Sequence, residues 1–203
     1  MSKVWPEFGL RLTRDFSFDA TGDFVVKKTF DKVHGEARLH SLWSVVHVQP
    51  IVTITAAKPR SPYRDGFHWI LPTSQTNLVQ RLSPSLLQVS PGDQQSFKIG
   101  VDAPVAALVA VKGKQSVRIR AARGSGEYPD GALGAGFPVE LYGTGGHDAR
   151  WHHVELELLS PLRPSSLGPR WSHTMRWSLH SLPSSNWKTP AVHRAVEGLL
   201  NFG

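Results

Sequence analysis

Ser116-Val117-Arg118-Ile119-Arg120-Ala121 decides the fold class, because its apolar and polar side chains alternate strictly. Val117, Ile119 and Ala121 fall on one side of an extended chain, and Ser116, Arg118 and Arg120 fall on the other, as a half-buried strand requires. The pattern returns near the C-terminus, where Met175, Trp177 and Leu179 oppose Thr174, Arg176, Ser178 and His180. Working outward, strand-like runs occupy Phe24–Phe30, Leu39–Val48, Ile51–Ala56, Phe97–Val101, Ala106–Val111, Pro138–Tyr142 and His153–Leu159. Turn clusters such as Asp19-Ala20-Thr21-Gly22 and Gly143-Thr144-Gly145-Gly146 separate them. Many short strands joined by punctuated turns predict an all-β antiparallel sandwich or barrel.

Two segments depart from this pattern. Lys58–Ser96 is rich in Pro, Ser and Gln, and it reads as a long insertion crossing the sheet with at most one short strand. Near the C-terminus Thr189 can cap, Pro190 takes the first helical position, and Val192, Ala195, Val196, Leu199 and Leu200 recur at helical spacing. The expected organisation is a β-sandwich domain over 1–185 and a short helical tail over 186–203, with the helix covering the chain's own sheet.

The chain has 203 residues, no Cys, and a formal net charge of +7. Without Cys there are no disulfides, no thiolate metal sites and no thiol nucleophile. The basic excess first suggests nucleic acid, but its distribution argues against that. Residues 1–100 carry 12 basic and 8 acidic side chains and residues 101–203 carry 11 and 8, with no basic arm or block. No apolar run approaches the roughly 20 residues of a membrane span, and the first residues have no signal-peptide core. The expectation is a cytoplasmic protein with neither nucleic acid nor membrane as partner.

The strand His153-Val154-Glu155-Leu156-Glu157-Leu158-Leu159 sets Glu155 and Glu157 on one face. Two like charges so close raise the pKa of at least one carboxyl if the face is covered, which prepares a proton acceptor. A solvent-facing strand with two harmless charges has the same pattern, and so does Glu140 beside Tyr142. Ten His residues are present, but no HxH or HExxH spacing, so no metal or other cofactor is expected. His47 shares the face of Trp43, and His40 does not. An aromatic ring stacks on the apolar face of a pyranose while an imidazole exchanges a proton, although packing alone accounts for such a pair. Phosphate-loop, dinucleotide and GxSxG signatures are absent.

Six pieces in order carry a family resemblance: Leu39–Val48 with Trp43, Phe97-Lys98-Ile99-Gly100, Glu127-Tyr128-Pro129-Asp130-Gly131, Val139-Glu140-Leu141-Tyr142, Val154–Pro161, and Trp177-Ser178-Leu179. Together they resemble the galactose mutarotase-like (aldose 1-epimerase-like) domains of bacteria, over roughly residues 5 to 180. The resemblance implies a β-supersandwich holding a sugar on the concave face of one large sheet, without cofactor. In that family a late-strand Glu takes the anomeric proton and a His protonates the ring oxygen. Glu157 best fits the base, with Glu155 second, and His47 is the candidate acid. Trp43, Lys98, Glu140, Tyr142 and Glu155 are candidate substrate-binding residues. The family's N-terminal third has no counterpart here, which implies a shortened sandwich with an open sheet edge that a partner chain or second copy could cover. The expected function is a carbohydrate-binding, mutarotase-like protein, an aldose 1-epimerase if the proton-transfer groups converge. The alternative is a non-catalytic β-sandwich that binds carbohydrate or a protein.

Overall fold

A computed structural model describes residues 4–58, 62–75, 77–92, 95–131, 136–146, 152–166 and 170–200. Pro59, Asp93 and Gly203 lie outside the described residues. In chain order the strands are β1 (Val4–Trp5), β2 (Leu10–Phe18), β3 (Phe24–Lys32), β4 (Leu39–His40), β5 (Trp43–Val48), β6 (Val52–Ala56), β7 (Phe67–Leu71) and β8 (Val79–Ser83). They continue with β9 (Leu86–Val89), β10 (Phe97–Val101), β11 (Ala106–Lys112), β12 (Gln115–Ala121), β13 (Val139–Gly143), β14 (Val154–Leu159), β15 (Arg163–Pro164) and β16 (Arg170–Ser181). One helix, α1 (Pro190–Leu200), follows.

The strands form a nine-stranded sheet of order β1-β2-β3-β16-β12-β11-β6-β9-β8, a five-stranded sheet of order β5-β14-β13-β10-β7, and a small β15-β4 ribbon. All pairings are antiparallel, as alternation predicts. The core lies between the two sheets. Phe97, Ile99, Leu141, Leu156 and Leu158 of the smaller sheet meet Val26, Leu87, Leu108, Ile119 and Met175 of the larger. These apolar positions alternate with residues on the opposite side of the smaller sheet, so the same strands present a second, outward face.

Helix α1 closes the other side of the large sheet. Val192, Val196 and Leu200, spaced along one stripe, are buried with Ile54, Leu86, Ala107 and Val109. Thr189 Oγ1 accepts from Val192 N at 3.4 Å, and Thr189 O accepts from His193 N at 3.0 Å, which satisfies two donors of the first turn. Among the described residues no helix is long and apolar enough to cross a membrane.

Three expectations are corrected. Lys58–Ser96 is no insertion with at most one strand: it supplies β7, β8 and β9, two of them to the large sheet and one to the small. Pro72 follows β7 and Pro84 sits in the β8–β9 turn, so neither removes a ladder donor from a strand interior. Leu39–Val48 is not continuous. The chain breaks at Ser41-Leu42, where Leu42 N donates to Ser160 Oγ at 2.8 Å, Ser41 Oγ donates to Ser160 O at 2.6 Å, and Leu42 is buried. Finally, β2 is an additional long strand, with Leu10, Leu12, Arg14, Phe16 and Phe18 on one face.

Candidate functional site

Cross-strand register assembles the site. Glu140 pairs directly with Glu157, Glu157 with Val45, and Leu159 with Trp43, while Lys98 pairs with Tyr142. Residues opposite one another share a face, so Trp43, Lys98, Glu140, Tyr142, Glu155, Glu157 and His47 all stand on the outward face of the five-stranded sheet. That is the smaller sheet, whereas the resemblance implied a sugar site on one large sheet.

On this face the candidates divide into two clusters. In the first, Lys98 Nζ lies 2.7 Å from Glu140 Oε2 and 3.2 Å from Glu157 Oε2, with Asp130 Oδ2 at 3.8 Å. Trp43 Nε1 donates to Glu157 Oε2 at 3.0 Å, and the Lys98 ammonium sits 4.9 Å from the Trp43 ring centroid. Both glutamates are 0% exposed, whereas Trp43 is 51% exposed and roofs them. Gly100 lets the cover approach: a Cβ there would lie 2.0 Å from Phe137, whose ring is fully buried. Phe137 in turn packs at a tilt against Tyr63 and stacks on His68.

Burial sets the charge state. Loss of solvent pushes the Glu140 carboxyl up to about 8 against the opposing pull of Lys98, and it also raises Glu157. For Lys98 burial works against the charge, but hydrogen bonds and attraction from Glu140 and Glu157 outweigh it and hold the ammonium above its usual range. Two buried carboxyls with one ammonium thus balance by retaining one proton between them. That proton lets one carboxyl hydrogen-bond the other, and the bond from Glu140 partly offsets the rise at Glu157. Such a group can accept or deliver a proton.

The second cluster lies one register step along the same strands. His47 pairs with Glu155 in the ladder, and their side chains meet at 3.0 Å, Nε2 to Oε1. His153 Nε2 reaches the same oxygen at 3.4 Å, the two imidazole centroids are 5.0 Å apart, and the Tyr142 ring lies 6.4 Å from that of His153. His47 therefore has Glu155, not Glu157, as its carboxylate partner. Neither His153, which opens the strand run His153–Leu159, nor Asp130 of Glu127–Gly131 is among the candidate site residues of the sequence. Asp130 takes a left-handed conformation, φ 62°, in Pro129-Asp130-Gly131, and that motif was its signal.

A cavity of about 580 Å³ opens elsewhere, between the sheets, lined by Phe18, Phe24, Val48, Ile51, Trp177 and Leu179 among others; none of the candidate residues lines it.

By sequence, no family model and no curated protein matches the chain. Solved structures do. A putative aldose 1-epimerase from Escherichia coli K12 superposes with a TM-score of 0.51 at 12% identity, over 85% of this chain and 61% of that one. A putative aldose 1-epimerase from Klebsiella pneumoniae subsp. pneumoniae MGH 78578 gives 0.58 at 7% identity, over 98% and 53%. The chain has the galactose mutarotase-like fold. It spans between about half and three-fifths of the length of these two solved structures.

Proposed function

We propose that the outward face of the five-stranded sheet, centred on Trp43, binds a sugar, and that Glu157 serves there as proton acceptor in the exchange of sugar anomers. One observation carries this reading: Glu157 is hydrogen-bonded to the N–H of an exposed indole ring and touches a lysine, so a carboxylate lies at the edge of an aromatic platform. A pyranose stacked on Trp43 would offer hydroxyls to Lys98 and Glu140, with Tyr142 and Glu155 further along the face.

The chemistry is a balanced pair of proton transfers. Glu157 takes the proton of the anomeric hydroxyl as the ring C–O bond breaks, and His47 gives one to the ring oxygen. The open aldehyde rotates about C1–C2, and the reverse transfers close the other anomer. His47 stands one same-face step beyond Val45, the residue opposite Glu157, a displacement of about 7 Å along a strand that one sugar ring bridges. Anomer-exchange NMR on freshly dissolved galactose and glucose tests this. The expected result is acceleration by the intact chain that Glu157→Gln abolishes. No acceleration, or acceleration unchanged in that variant, overturns the catalytic role.

The full burial of Glu140 and Glu157 favours a second reading, in which the Lys98 cluster is a structural floor and the face binds carbohydrate without turnover. Quenching or enhancement of Trp fluorescence by a sugar, lost in Trp43→Phe, without anomer exchange, would be its signature.

A further inference from the structure

We infer that His47, His153 and Glu155 form a binding site for one divalent transition-metal ion, with zinc as the probe of choice. The inference goes beyond the carbohydrate reading and does not need a sugar at Trp43; an ion here takes His47 as a ligand, so the metal-bound form is inactive in the proton transfer proposed for that imidazole.

The geometry comes first. One potential ligand atom from each of the three residues lies within 4.8 Å of the others. Two of the edges are 3.0 Å, His47 Nε2 to Glu155 Oε1, and 3.4 Å, His153 Nε2 to the same oxygen. Tetrahedral zinc with bonds of about 2.0–2.1 Å sets its ligand atoms about 3.3 Å apart, so two edges already have the required length. Only the edge between the two histidines, at most 4.8 Å, has to close, and rotation of the exposed His47 ring closes it. Two imidazoles and a carboxylate suit zinc, copper or nickel, whereas calcium and magnesium favour all-oxygen sets.

The second observation is the hydrogen bonding behind the ligands. Thr144 Oγ1 donates to His153 O at 3.3 Å and accepts from His153 N at 2.8 Å. The same hydroxyl lies 3.4 Å from His153 Nδ1, so it holds that side of the ring and leaves Nε2 facing Glu155 Oε1 at 3.4 Å. A polar group on the far nitrogen that orients the ring is the kind of support metal-bound histidines have.

The backbone holds the three residues without any help from a metal. His47 and Glu155 are register partners in the β14–β5 ladder, and His153 immediately precedes β14. His47 is 64% exposed on its side chain, so an ion has an open approach and room for water in a fourth position.

The test is calorimetric titration of zinc into the full, untagged, chelator-washed chain, with no sugar present. The expected result is one equivalent bound with micromolar or tighter affinity, weakened at least tenfold by each of His153→Ala and Glu155→Gln. Cobalt should give the intense visible absorption of a tetrahedral site, absent in His47→Ala. The melting temperatures of the metal-free variants check that each is folded. Absence of saturable binding, or binding that survives His47→Ala/His153→Ala unchanged, overturns the site.

Discussion

Glu157 and Glu155 are two residues apart on one strand and point to the same face, yet they have opposite surroundings. Glu157 is sealed beneath Trp43 with Glu140 and Lys98. Glu155 lies at a rim between two partly exposed histidines. The sheet supplies identical backbone geometry to both, so the difference comes from what covers each position. Over Glu157 the cover is an indole ring and a lysine, and over Glu155 it is solvent and imidazole. In the first environment an unpaired charge is costly and a proton is retained; in the second the carboxylate is open to ions from solution.

Several measurements would break or sharpen that contrast. The largest effect is expected from Lys98→Met, which removes the one ammonium from two buried carboxyls. It should destabilise the chain by about 3–5 kcal/mol in urea unfolding, as loss of one partner from a buried ion pair does. A loss below about 1 kcal/mol would mean that the carboxyls are solvated and the contrast false.

The pH dependence comes next. Glu140 keeps its proton in the folded chain up to about 8, whereas an unfolded Glu loses it near the ordinary value of 4.5. The stability this contributes is fully present below 4.5 and is lost as pH rises through about 8. The slope is at most about 1.4 kcal/mol per pH unit for one proton. Glu140→Gln should flatten it, and a slope unchanged in that variant would assign the retained proton elsewhere.

A smaller loss, about 1–2 kcal/mol, is expected for Trp43→Phe, which keeps the ring but deletes the donor to a charged acceptor. The smallest belongs to the rim: metal-free His47→Ala should stay within about 0.5 kcal/mol of the parent, as exposed substitutions do. A large loss there would show that the rim is as sealed as the floor.

Much of this was legible in the sequence. Strict alternation located β10, β12 and β14 to within a residue, because a strand buried on one side writes its parity into the chain. Parity also put Glu155 and Glu157 on a common face. It could not say which of them is buried, since the cover comes from Trp43 across the ladder and from Phe137 over Gly100. Strands β7 to β9 were masked by the Pro, Ser and Gln of their connections, and Val79-Gln80-Arg81-Leu82-Ser83 has too few apolar residues to announce an edge strand. Asp130 lies in a turn, where no period exists to read, whereas His153 precedes β14 in phase with Glu155 and Glu157. The His47, His153 and Glu155 cluster has no metal-like spacing along the chain, because the ladder brings residues more than a hundred positions apart into contact.

The place of β16 has a consequence for how the chain is made. This strand, the last of the described residues to join a sheet, lies between β3 and β12 and is the sole ladder linking β1, β2 and β3 to the rest of the nine-stranded sheet. During synthesis the β2–β3 hairpin must therefore wait, with Val26 and Phe30 unshielded, until β16 has left the ribosome. Such late, long-range closure makes for slow folding and a prolonged risk of aggregation. A chain stopped before Arg170 would present an orphaned hairpin, and its fate would be decided by chaperones before any ligand could act.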